Sequence, residues 1–215
     1  MELVIVAGGP SVSEGINLGL WDKIKGKEIW SLNYSFKFMP YLPAKQLWVD
    51  TTFFKNNIKE IQTLHEKGVK LVCKESHRLY DNFKMIEKHE VCRTVKEANE
   101  TKKLFIGEQG LVGLFALSYA IRMSYENIWL LGYDFGTTDI KDSNTHFYQQ
   151  EFKNTGLLSS GVGRPSVYLD HKGSVKPSVK DFQYYTQFNC NIVNVSLTSN
   201  ISTFKRIGYA EFLKL

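Results

Sequence analysis

The stretch Leu3-Val4-Ile5-Val6-Ala7-Gly8-Gly9-Pro10-Ser11 constrains this chain more than any other. Four consecutive apolar residues, three of them β-branched, read as a buried strand, and the side chains then shrink through Ala7 to Gly8 and Gly9, which read as a tight turn. Both glycines can take positive φ and leave backbone N–H groups uncovered, so an anion or a nucleotide phosphate is expected to approach the main chain there. Ser11 adds a hydroxyl that can cap a following helix. In an α/β sheet, ligands sit beyond the carboxyl ends of the strands. Gly8, Gly9, Pro10 and Ser11 are therefore candidate ligand contacts, although a GGPS motif alone fits a plain strand-to-helix turn equally well.

The same pattern recurs. Glu28 to Leu32 reads as a strand ending at Asn33, whose amide can donate and accept at once, as a base or ribose edge requires. Gln46 to Val49 reads as a strand delivering Asp50 at its tip, with Thr51 and Thr52 available to cap the next helix. Ile58, Ile61, Leu64 and His65 recur at helical spacing until Gly68 stops them, and Val69 to Cys73 is another strand. Glu75 to Thr101 is charged and weakly patterned, which predicts helix and loop with a short strand near His89 to Cys92. Gly110 and Gly113 then precede Leu114 to Ile121, an apolar helix that must be buried, and Gly113 lets its amino end approach a strand or a ligand. Asn127 to Leu131 is a buried strand, and Gly132-Tyr133-Asp134-Phe135 brings a carboxylate to its tip.

Beyond Asp134 the chain turns polar. Residues 137–164 read as a lid loop beside the site, with His146 and Tyr148 among hydrogen-bonding neighbours. A helix from Pro177 to Phe188, a strand from Asn191 to Val195 and a helix from Phe204 to Leu213 complete the pattern. Strands alternating with helices over 215 residues predict one Rossmann-like α/β domain, 1–215, with a mostly parallel sheet and helices on both faces.

Composition narrows the function. Apolar residues at 43% and charged residues at 23% exclude long disorder. Lys and Arg exceed Asp and Glu by 27 to 22, a net +5 that suits phosphate-bearing ligands. No basic run exceeds two residues, so a nucleic-acid groove is not implied. Cys73, Cys92 and Cys190 show no C-x-x-C spacing, and the His residues show no metal-like spacing, so neither a zinc site nor a disulfide framework is expected. The apolar run at residues 3–7 is too short for a membrane span and lacks a cationic flank, which predicts a cytoplasmic protein with no transmembrane segment. Trp21, Trp30 and Trp48 could serve a core or the interface of a homo-oligomer.

Taken together, Gly8-Gly9-Pro10-Ser11, Asn33, Gly113, Leu131-Gly132-Tyr133-Asp134-Phe135 and His171 resemble the bacterial sialyltransferase-like glycosyltransferases and the related 6-hydroxymethylpterin diphosphokinases. The resemblance to the sialyltransferases implies a nucleotide-sugar site lined by Gly8, Gly9, Ser11, Asn33 and Gly113, with Asp50 and Asp134 at its rim. It implies His171 as the general base that takes the proton of an acceptor hydroxyl, on a glycan, another hydroxyl compound or a modified nucleic-acid base. The lid would bring His146 or Tyr148 to the leaving phosphate. No cofactor is expected on that reading. The diphosphokinase side implies Mg²⁺ and ATP, with Asp50 and Asp134 as metal ligands. A third alternative is a nucleotide-binding or assembly module that has kept the fold without the chemistry.

Overall fold

The computed structural model describes residues 1–75, 79–135 and 178–215. In chain order it runs β1 (Glu2–Val6), α1 (Val12–Asn17), α2 (Leu20–Ile24), β2 (Ile29–Leu32), β3 (Lys45–Trp48), α3 (Thr51–Asn56), α4 (Ile58–Glu66), β4 (Lys70–Lys74) and β5 (Ile86–His89). It continues with β6 (Val91–Cys92), α5 (Val95–Glu100), β7 (Leu104–Phe105), α6 (Val112–Arg122), β8 (Asn127–Leu131), β9 (Asn191–Asn194), β10 (Lys205–Arg206) and α7 (Tyr209–Phe212). Short 3₁₀ helices cover Asn33–Phe38 and Ser178–Gln187. The expected lid at 137–164 lies outside the described residues.

Eight strands form one sheet in the order β10-β9-β8-β1-β2-β3-β4-β5, and each neighbouring pair is parallel. A parallel sheet must be covered on both faces, and β1 shows why its sequence is continuously apolar. Leu3 and Ile5 enter one core with α6, while Val4 and Val6 enter another with α1, α2 and α7. A third cluster joins Trp48, Phe53, Phe54 and Ile61 under α3 and α4. Trp30 and Trp48 are fully buried, so they serve these cores and not a subunit interface. Ala116 and Ala120, small and fully buried, let α6 lie close against the sheet.

The chain builds outward from β1 to β5 and then returns to lay β8 on the opposite side of β1. That reversal opens a crevice beyond the carboxyl ends of β1 and β8.

Three local expectations differ from the structure. Residues 204–213 hold β10 and α7 in place of one helix: Lys205 and Arg206 are exposed edge residues, and Gly208 separates them from the buried Tyr209 and Phe212. The weakly patterned region contributes β5, an edge strand half open to solvent, whose polar Glu87, Lys88 and His89 hide its strand character. The cap of α3 is Asp50 itself, whose Oδ1 accepts the Thr52 N–H at 2.7 Å.

The amino ends of the strands are closed electrostatically. Glu28 Oε1 accepts from Trp30 Nε1 at 3.0 Å, Tyr125 OH at 3.1 Å and Lys45 Nζ at 3.2 Å, and Lys45 also lies over the Trp30 ring. Burial works against ionisation of Glu28, but these donors outweigh it and hold its carboxyl below the usual range. The hydrogen bond from Lys27 lowers Glu2 in the same way. A carboxyl depressed in the folded state adds stability above its unfolded value, here 4.5, and loses it as the pH falls through the folded value. Urea unfolding midpoints should therefore hold steady from pH 7 to 5 and decline below about pH 4.5, and Glu28→Gln should flatten that decline.

Candidate functional site

The crevice is assembled by two loops that interlock at the backbone. Leu131 O accepts the Ala7 N–H at 2.8 Å, Gly132 O accepts the Gly9 N–H at 3.0 Å, and Asp134 Oδ2 accepts the Ser11 N–H at 2.7 Å. Both glycines are required by this approach. A Cβ on Gly9 would collide with Gly132 O and lie 2.5 Å from Asp134 Oδ2. Gly132 has φ +73°, and a Cβ there would lie 2.8 Å from Val12 Cγ2 and 2.9 Å from both Ala7 O and Gly9 N. The expectation of an amide open to phosphate is therefore corrected at Gly9. The Gly9 and Ser11 amides are committed to the β8 loop, and of the loop amides at 7, 8, 9 and 11 only that of Gly8 lacks a partner among the described residues.

The β8 loop is fastened from behind. Tyr133 O accepts from Asn194 Nδ2 at 3.1 Å and from Ser199 Oγ at 2.6 Å, and Asn200 donates its N–H to Asp134 O and its Nδ2 to Phe135 O, both at 2.8 Å. The Tyr133 ring runs under α6, where a Cβ on Gly113 would lie 2.8 Å from Cε1 and where its hydroxyl donates to Gly113 O at 3.3 Å. Gly113 thus serves the approach of α6 to the β8 tip. Complete burial pushes the Tyr133 phenol well above its ordinary pKa, so it stays neutral.

Asn33 stands at the β2 tip with φ +50°. Its carbonyl accepts from Gln46 Nε2 at 2.9 Å, and Gln46 Oε1 in turn receives the Ser31 hydroxyl, which fixes the backbone of the β2 tip against β3. Asp50 is exposed at the β3 tip and occupied as a cap. Between the β3 and β8 tips lie three inter-strand steps of about 4.8 Å each, so Asp50 and Asp134 do not share one ion. Pro10 is exposed on the loop. His146, Tyr148 and His171 lie outside the described residues.

The sequence reading missed Gln46, Asn194 and Ser199 as supports of the site. Gln46 and Asn194 are polar residues within apolar strands, close to the signal that marked Asn33 and Asp134, whereas Ser199 lies in the polar turn after β9.

Three enclosed side-chain oxygens at the adjacent β8, β1 and β2 tips have no hydrogen-bond partner among the described residues: Asp134 Oδ1, Ser11 Oγ and Asn33 Oδ1. Asp134 is only 6% exposed, and no described lysine or arginine pairs with it. Buried polar atoms in folded proteins are normally satisfied, so such a cluster marks a place for bound water or ligand. An ionised carboxylate only accepts, whereas a hydroxyl and an amide can also donate. The cluster suits a ligand with several O–H or N–H groups better than bare phosphate oxygens.

No protein-family model matches the sequence, and no curated protein is similar enough to count as a match. Two solved structures share the fold. One is the MAf glycosyltransferase from Magnetospirillum magneticum AMB-1, with a TM-score of 0.56 and 14% identity over 97% of this chain and 34% of that one. The other is the sialyltransferase CST-II, in a variant complexed with CMP, with a TM-score of 0.57 and 14% identity over 95% of this chain and 85% of that one. The chain thus spans about a third of the length of the first. The α/β fold with a parallel central sheet is one that glycosyltransferases use.

The interlocked glycines give a stability prediction. Gly132→Ala should cost roughly 2–4 kcal/mol in urea unfolding, from a strained left-handed backbone plus overpacking against Val12, Ala7 and Gly9.

Proposed function

We propose that this chain is a glycosyltransferase that moves a sugar from a nucleotide-activated donor to an acceptor hydroxyl. The observation that carries this reading is the trio of unpaired, enclosed oxygens on Ser11, Asn33 and Asp134, set at the strand reversal of a fold shared with a CMP-bound sialyltransferase. On this reading they take the hydroxyl and amino donors of the ribose and base. The phosphate belongs toward the amino end of α6, where the first helical N–H groups lack partners within the helix. Gly113 draws that end to the crevice through Tyr133.

In the transfer step the acceptor oxygen bonds to the anomeric carbon as the bond from that carbon to the phosphate oxygen breaks, and the nucleotide leaves with the electron pair. His171 takes the acceptor proton, a task an imidazole performs near neutral pH. His146 or Tyr148 would meet the charge growing on the leaving phosphate. The acceptor class is a glycan or another hydroxyl compound, and the step calls for no resident cofactor.

A melting-temperature panel with CMP, CDP, UMP, UDP, GDP and ATP, with and without Mg²⁺, tests the reading. The expected result is stabilisation by one mono- or diphosphate without Mg²⁺, because a ligand of the native state alone raises the melting temperature by mass action. A response confined to ATP with Mg²⁺ points to phosphoryl transfer instead and overturns the proposal, as does silence across the panel. With the donor class in hand, His171→Ala should abolish transfer and leave nucleotide affinity within about twofold, a change under 0.5 kcal/mol. Undiminished transfer would remove His171 from its role.

A further inference from the structure

Against α1 and the Gly8–Ser11 loop, the C-terminal helix delivers a residue that the sequence did not single out. Tyr209 opens α7, is fully buried, and packs in the core with Val12, Leu131 and Val6. Its ring lies directly on Gly15 of α1: a Cβ on Gly15 would collide with Cδ1 and Cε1 of the ring. The missing side chain at Gly15 is thus the slot through which a phenol from the far end of the chain reaches the first loop.

The end of that phenol is polar and enclosed. Tyr209 OH and Ser11 Oγ face each other, yet neither makes a hydrogen bond of good geometry among the described residues. Burial raises the Tyr209 pKa far above its ordinary value, the Ser11 hydroxyl and the Gly132 backbone oppose that rise, and Asp134 and Glu14 add to it. The phenol is accordingly neutral at any working pH and able both to donate and to accept. A phenylalanine would fill the same slot on Gly15, so the oxygen serves the two loops it faces, at Ser11 and at the Gly132 backbone, and not the packing. An unpaired hydroxyl placed beneath a second unpaired hydroxyl, which itself lies beside the Asp134 carboxylate, is costly to keep unless the pair closes when the crevice fills.

We infer that Tyr209 is a positioning residue for the substrate loop: through Ser11 Oγ it sets the orientation in which that hydroxyl meets the bound nucleotide. Tyr209 does not touch the ligand, because Ser11 stands between them. This inference rests on the nucleotide-sugar reading. It extends that reading by assigning the C-terminal helix a part in binding.

The test compares the wild-type protein with Tyr209→Phe, Ser11→Ala and the double variant, using calorimetric titration with whichever nucleotide of the panel binds and thermal melting of the free proteins. Tyr209→Phe keeps the ring on Gly15 and should melt close to the wild type. Its nucleotide affinity should fall about 3- to 10-fold, the range for one hydrogen bond in a supported network. In the Ser11→Ala background the same change should have no further effect, because residues acting through one another are not additive. An unchanged affinity in Tyr209→Phe, or equal losses in both backgrounds, overturns the inference while leaving the glycosyltransferase reading intact. A wild type that binds no member of the panel removes both.

Discussion

Two strands end side by side, and their loops touch with no side chain between them. The Gly9–Gly132 approach is the constraint on which the crevice depends, because it brings the β1 and β8 loops close enough for Asp134 to reach the Ser11 amide. A methyl group on either glycine would wedge the loops apart and take the carboxylate with them. The strand order gives this contact its meaning. Parallel strands running outward in both directions from one junction leave their carboxyl ends uncovered only there, so the tightest backbone contact and the open crevice are produced by the same topological event.

The two ends of the sheet resolve their polar groups in opposite ways. At the amino ends, one oxygen of Glu28 takes three donors, and Lys45 is satisfied by that carboxylate and the Trp30 ring. At the carboxyl ends Asp134, Ser11, Asn33 and Asn194 each keep an enclosed oxygen without a partner among the described residues. Both sets lie on one rigid sheet, so poor packing does not account for the difference. Leaving buried acceptors unpaired costs on the order of 1–3 kcal/mol each, which a chain tolerates where a ligand repays the debt. Asn194, Ser199 and Gln46 spend their own hydrogen bonds holding the unsatisfied loops still, and a site assembled in advance loses less entropy on binding.

The sheet was legible because a parallel strand buried on both faces advertises itself. Leu3–Val6, Gln46–Val49 and Asn127–Leu131 are short apolar runs with a polar residue at the tip, and the tip is what the crevice uses. Strand β5 was not legible, since an edge strand with one wet face carries Glu87, Lys88 and His89 and reads as loop. Asp50 shows the limit of the pattern. Like Asp134 it follows closely on its strand, but it is occupied as a helix cap, and only the three-dimensional structure separates the two roles.

The GGPS motif is instructive in a different way. Its glycines suggested amides open to phosphate, an inference that treats a loop as though it faced solvent alone. Whether an amide is available depends on the neighbouring strand, which lies more than 120 residues away in the chain. Here β8 takes the Gly9 and Ser11 amides, so glycine supplies closeness between two loops in place of closeness to an anion. Gly15 repeats the lesson on the other side of the same loop, where the absent side chain admits the Tyr209 ring. In both places small residues mark where distant segments meet. The sequence shows that something must come close there, and only the fold says what.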